Sequence, residues 1–166
     1  LAGLPSPRPL YRLPDLRDAD TVYIAEGEKA ADAACSLGLV ATSSPQGSKS
    51  ASKADWTVLA GKEVVVLPDN DGPGWEYAAD VLNIVSSLQP PATVRVVELP
   101  GLPENGGDIA DLVATAGADG RADLLRLIEA AVAETSPGWT PPRDQGLAAK
   151  SRERQTSFDG EQSAQQ

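Results

Sequence analysis

Short β-rich runs alternate with helical patterns along this chain, and that alternation decides its fold class. Thr21–Ala25 reads Thr-Val-Tyr-Ile-Ala, a strand, and an Ala-rich helix is predicted over about 29–37, closed by Gly38. A second short strand is predicted over 39–42. The Ser/Gly/Lys-rich stretch 43–53 reads as a mobile loop, and 54–59 as a weak helix. Val64-Val65-Val66 then makes the firmest strand of the chain, over 63–67. A helix over 75–88 carries apolar residues at Ala78, Val81, Leu82, Val85 and Leu88, the three- and four-residue steps of one helical face, and Pro90-Pro91 ends it. A strand over 93–99 and helices over 109–114 and 122–134 complete the pattern. Strand and helix repeated in this way imply an α/β fold, with a mainly parallel sheet and helices on both faces.

Composition sets the outer bounds. The 166 residues suit one domain with some unstructured sequence: an N-terminal arm or linker over 1–20, a domain over 21–135, and a disordered tail or linker over 136–166. The chain opens at Leu1 inside a Pro-rich stretch and is expected to be a piece of a longer polypeptide. No apolar run approaches the roughly 20 residues that span a bilayer. With no signal-peptide layout either, the expectation is a cytoplasmic protein without membrane contact. A single cysteine, Cys35, and no histidine exclude a disulfide framework, histidine acid–base catalysis and an ordinary zinc site within this chain. The net charge of −10 argues against general electrostatic attraction to nucleic acid but suits a protein whose acids bind divalent cations.

What matters is where the acids fall. Glu26 directly follows the first strand, Asp69 and Asp71 follow the valine strand, and Asp108 follows the last strand after a Gly/Pro loop. In a parallel sheet all carboxyl ends lie at one edge, where such folds place their sites. Convergent carboxylates repel one another and persist mainly when a cation compensates them, and hard oxygen ligands select Mg2+ or Mn2+. In an extended segment Asp69 and Asp71 would face one side. Gly27 and Gly72, beside the acids, leave room for a phosphate or a bound water. The plainer alternative is that acids populate the wet loops at strand ends.

The motifs, taken in order, resemble those of a known family. Glu26-Gly27-Glu28-Lys29, then Leu67-Pro68-Asp69-Asn70-Asp71-Gly72-Pro73-Gly74, then Gly106-Gly107-Asp108-Ile109-Ala110-Asp111-Leu112 are similar to the three conserved blocks of the Toprim family. The nearest resemblance is to the Toprim domains of phage and plasmid DNA primases and primase–helicases, over about residues 10–133. It implies a Toprim, Rossmann-like fold with about four parallel strands. It also implies that Glu26, Asp69 and Asp71 are catalytic metal ligands, with Asp108 as a further ligand. Asp111 stands near a second late acid of the family, although some primases carry that acid at the position held here by Ala110. The implied chemistry is Mg2+-dependent joining of nucleoside triphosphates on a single-stranded DNA template, with a replicative helicase or other replication domains as partners. The basic and zinc-binding parts a primase also uses are not evident here. The chain alone is therefore expected to bind metal and to make primers poorly.

Other residues carry weaker signals. Lys29 sits where a helix start disfavours a cation, so either a phosphate or acid partner lies nearby or the lysine is simply solvated. Ser43, Ser44, Ser48, Lys49 and Lys53 either contact phosphates at the active edge or form a plain solvated loop. The stretch 69–80 half-matches a calcium loop, but Pro73 occupies a ligand position. An aspartyl-phosphate phosphatase would leave Glu26 unexplained. Cys35 reads as a small core residue, and Trp56, Trp75 and Trp139 as scattered rather than platform-forming. Two further functions use the same motifs: a Toprim nuclease, and a non-catalytic Toprim module that binds a replication partner.

Overall fold

The structure, a computed structural model, describes residues 7–46 and 48–139. Its centre is a four-stranded, fully parallel sheet in the order β3-β2-β5-β6, formed by β2 (Thr21–Ala25), β3 (Ala41–Thr42), β5 (Glu63–Leu67) and β6 (Thr93–Val96). The two central strands run in register from Thr21↔Glu63 to Ala25↔Leu67. Successive strand residues face opposite sides, so each strand feeds two cores. Val22, Ile24, Val64, Val66, Val94 and Val96 pack on one side with α3 (Gly72–Ser86). Tyr23, Ala25, Val65 and Leu67 pack on the other with α2 (Glu28–Ser36) and α4 (Ile109–Glu134). The α/β class, with helices on both faces of a parallel sheet, is as the alternation predicted.

Chain order dictates where a site can form. From β2 the chain moves outward through α2 to β3; from β5 it moves the opposite way through α3 to β6. The two crossover helices lie on opposite faces, and the crevice between the carboxyl ends of β2 and β5 is the topological switch point of the sheet.

Several segments differ from the sequence reading. The stretch 54–59 is not a helix. It holds the short strand β4 (Ala54–Asp55), then a single 3-10 turn (Thr57–Leu59) fixed by Asp55, whose Oδ1 accepts from the Thr57 amide at 3.0 Å and hydroxyl at 2.6 Å. The stretch 43–53 contains a 3-10 helix (Ser48–Lys53), with Ser50 and Ala51 buried. Within the stretch read as an arm, β1 (Arg8–Pro9) pairs with β4, α1 (Leu13–Leu16) follows, and Leu10 and Leu16 are buried in the core. Helix α4 is broken at Gly117 (φ 63°, ψ −168°), so two helices are present as predicted, but apart from Gly117 the stretch 115–121 read as their connection is helical. Beyond α4, the Gly138 amide donates to Val94 O at 2.8 Å, and Trp139 stacks on Trp75 with ring centroids 5.8 Å apart, so two of the scattered indoles meet. Residues 1–6 and 140–166, with most of the predicted tail, lie outside the described residues.

Helix α3 starts at Gly72, three residues before the predicted position, because Asp71 caps it: Oδ1 accepts from the Gly74 amide at 2.8 Å. The first turn rests on the Asp69 backbone, and a Cβ at Gly74 would lie 2.4 Å from Asp69 O, whereas one at Gly72 would meet nothing within 4 Å. Gly74→Ala is therefore expected to destabilise the domain by about 2–3 kcal/mol and Gly72→Ala by at most about 0.5 kcal/mol, measured by urea denaturation.

Candidate functional site

The crevice at the switch point is lined by acids from three connections. Glu26 is the first residue beyond β2, and Asp69 the second beyond its neighbour β5. Glu26 is partly exposed, but its Oε2 is sealed from solvent and has no hydrogen-bond partner. An unpaired buried carboxylate oxygen is costly unless a proton or a cation satisfies it. The Asp69 carboxyl is pushed up to about 7, first by burial, then by the negative charges of Glu26, Asp108 and Asp71. These causes also report geometry: carboxylates that begin 26, 69, 71 and 108 residues along the chain share one electrostatic neighbourhood. Tyr77 of α3, fully buried, closes the floor beside them. Its phenol is raised mainly by burial, with the charges of Glu26 and Asp69 contributing, and it donates to Ser44 Oγ at 3.1 Å.

Local hydrogen bonds explain how distant segments arrive here. The Asp71 amide donates to Asp69 O at 2.8 Å, tightening the turn after β5. Asn70 clamps the Gly/Pro loop that leads to Asp108: its amide donates to Gly107 O at 2.9 Å, its carbonyl accepts from the Gly106 amide at 3.1 Å, and Nδ2 donates to Pro103 O at 3.2 Å. Two glycines permit the contact. A Cβ at Gly107 would strike Pro103 O at 2.5 Å, and one at Gly106 (φ 97°) would approach Asp71 Oδ2 at 3.0 Å.

The predicted residues take distinct stations. Asp71 caps α3. Asp108 caps α4 through a reciprocal box, with its Oδ1 accepting from the Asp111 amide and Asp111 Oδ2 from the Asp108 amide, each at 3.0 Å. Gly27 is the N-cap residue of α2 and, like Gly72, would have open space around a Cβ. Lys29 is exposed in the first turn of α2. Sequence reading missed Asn70 and Tyr77, and it gave Ser44 only as a phosphate contact or part of a solvated loop. The central Asn of Asp-Asn-Asp was the available signal for the clamp, whereas nothing in the sequence paired Tyr77 with Ser44.

Among the described residues, no three acidic or cysteine side chains already converge as a ready-made metal cage. The donor set nonetheless fits a hard cation. Magnesium keeps several of its waters and needs only one or two protein carboxylates, and Glu26 Oε2 is an orphaned oxygen beside a carboxyl raised by burial and by its neighbours' charges.

No family model matches this chain, and no curated protein matches it. Among solved structures, it is similar to a chain in the structure of bacteriophage T7 lagging-strand DNA polymerase interacting with primase domains of two gp4 subunits bound to an RNA/DNA hybrid and dTTP. The TM-score is 0.52 at 18% identity, covering 78% of this chain and 61% of that one. A second similarity is to the RNA polymerase domain of Mycobacterium tuberculosis primase DnaG, with a TM-score of 0.45 at 22% identity, covering 75% of this chain and 38% of that one. The chain thus spans about 61% of the first of these structures, and at this identity the likeness is one of fold.

The raised Asp69 carboxyl has a stability consequence. Between the unfolded value near 4 and the folded value of about 7, the folded state holds the proton that the unfolded state has lost, so metal-free stability falls as pH rises through that window. Because Asp69 is only half buried, solvent screening limits the effect to on the order of 1–2 kcal/mol. Chemical denaturation of the metal-free chain from pH 4 to 8, set against Asp69→Asn, is expected to show this loss in the wild type and a flatter profile in the variant.

Proposed function

We propose that this chain is the Toprim-type module of a DNA primase or primase–helicase of the phage or plasmid kind, a Mg2+-dependent domain that joins ribonucleotides into RNA primers. The observation that carries the reading is a partly buried acidic cluster at the switch point: Asp69 raised to about 7 by burial and then by the charges of Glu26, Asp108 and Asp71, next to an unpartnered Glu26 oxygen. The parallel α/β fold and the order of the three acidic motifs support the same reading.

Glu26 and Asp69 would hold the ion directly, with Mn2+ able to replace Mg2+. Asp71 and Asp108, each with one oxygen committed to a helix cap, would contribute through their remaining oxygen or through a water. The bound ion would supply activation of an attacking hydroxyl and neutralisation of a leaving phosphate. The chain's own residues fix where this happens. The Asn70 clamp orients the loop to Asp108, and Tyr77 closes the floor against water. Template DNA, nucleoside triphosphates and a replicative helicase are the partners this role requires. The overall negative charge means that nucleic acid must be held by local contacts or by other parts of the protein.

Binding the ion must displace the proton held at Asp69, so Mg2+ affinity should climb with pH below 7, by up to about tenfold per unit. Calorimetric titrations in buffers of different ionisation enthalpy are expected to record that proton release, and Glu26→Gln and Asp69→Asn to weaken Mg2+ at least about tenfold. Asp71→Asn should weaken it less while leaving α3 capped, since Asn caps as well as Asp. Unchanged Mg2+ affinity in both Glu26→Gln and Asp69→Asn would overturn the reading. In the full-length protein, primer elongation as against strand cleavage then divides a polymerase from a nuclease.

A further inference from the structure

Most cations among the described residues already have partners. Arg12 pairs with Asp15 and Asp32, Lys62 donates to the carbonyls of Arg17 and Ala19, Arg95 pairs with Glu63, and Arg126 pairs with Asp123. Lys49 and Lys53, like Arg17, have none among the described residues. Both are exposed, and neither makes an ion pair or hydrogen bond with any described residue, in a chain with 24 acids against 14 bases. They are also not on a loose loop. The 3-10 helix that carries them (Ser48–Lys53) packs on α3 and buries Ser50 (4% exposed) and Ala51 (2% exposed). Trp56 Nε1 donates to Ala51 O at 2.7 Å on one side, and on the other Ser44 is tied to Tyr77, the residue at the floor of the acidic crevice. Because β3 is parallel to β2, this segment leaves the sheet from the same rim as Glu26. Lys29, in the first turn of α2 beyond that rim, is likewise exposed and without a described partner.

We propose that Lys49 and Lys53, with Lys29 as an outlying third, form a fixed cationic strip that takes the phosphates of a nucleotide or nucleic acid beside the acidic crevice; the inference rests on the reading given under Proposed function. An ammonium is a compact point charge suited to phosphate oxygens. The two lysines stand on anchored backbone, so less ordering is lost when the ligand arrives than on a mobile loop. An acidic crevice alone would repel a polyphosphate, and a cationic strip on the neighbouring connection supplies the missing attraction locally without altering the net charge of −10.

The test uses the whole chain with Mg2+ and two probes: inorganic triphosphate, followed by calorimetry, and a fluorescein-labelled oligothymidylate, followed by anisotropy across a salt series. The Lys49→Gln/Lys53→Gln double variant is expected to lose about tenfold in affinity or more for at least one probe, and its slope of log affinity against log salt for the oligonucleotide should fall by roughly 1.4, about 0.7 for each phosphate contact. Arg126→Gln, which removes one charge on the far stretch of α4, serves as the control and should retain wild-type binding, with unchanged melting confirming that each variant is folded. Loss with triphosphate alone assigns the strip to the nucleotide, and loss with the oligonucleotide alone assigns it to the strand. The inference is overturned if the double variant binds both probes as wild type, if Arg126→Gln loses as much, or if the wild type binds neither probe. Glu26→Gln separates the two proposals. Weakened Mg2+ there with unaffected lysine variants removes only the strip, and unchanged Mg2+ with weakened phosphate binding in the lysine variants removes only the metal site.

Discussion

Like charges brought to one rim of a sheet are the constraint from which the rest of this structure follows. A parallel sheet delivers every strand's carboxyl end to the same edge, and here β2 and β5, hydrogen-bonded neighbours, are each followed within two residues by acid. The fold answers the repulsion in two ways. Asp71 and Asp108 are drawn outward to the starts of α3 and α4, where unpaired amides and the positive end of the helix dipole welcome a carboxylate. Glu26 and Asp69 have no such outlet: burial and the neighbouring charges raise the Asp69 carboxyl, and one Glu26 oxygen is left unpartnered.

Holding that arrangement requires close backbone contact more than side-chain packing. The turn after β5 touches α3 through Gly74 and the loop 101–107 through Asn70, and at Gly74 and Gly107 a Cβ would collide with backbone at 2.4 and 2.5 Å. Aliphatic cores on both faces of the sheet supply the rigidity beneath. Val22, Ile24, Val64 and Val66 are all fully buried, so the strands cannot slip register without turning those valines and isoleucine to the wrong face. The acids are therefore held at a place where an isolated loop would let them spread apart.

Much of this was legible in the sequence because it rests on periodicity and on chain order. The strands 21–25 and 63–67, the Ala-rich α2 and the break in α4 at Gly117 each carry a local signature. That Glu26 and Asp69 leave neighbouring strands at one rim followed from the topology those elements imply. What escaped reading were features that depend on partners remote in sequence. Small residues such as Ser50 and Ala51 bury without an apolar run to announce them, so a fixed 3-10 helix read as a mobile loop. Leu10 and Leu16 stand singly among prolines and charges, yet each fills the core. Trp75 and Trp139 meet only because the chain beyond α4 returns to the edge of β6 through Gly138. The capping roles of Asp71 and Asp108 did have a local signal, the spacing of three to Gly74 and Asp111.

Capping and ion binding need not compete for those two aspartates. A carboxylate offers two oxygens with about four acceptor directions, and a helix cap uses one of them. In Asp71 the cap engages Oδ1, while Oδ2 lies towards Gly106, where the missing side chain keeps the space beside it clear. The cap thus fixes the side chain and leaves one oxygen oriented and available, which is the condition under which a ligand binds an ion with little further ordering. Under the proposed reading, a rim built from two fixed caps and two further carboxylates would be arranged to receive a cation. The same reasoning explains why the acids sit at helix starts rather than on free loops: the helix that each one caps is also the element that aims it.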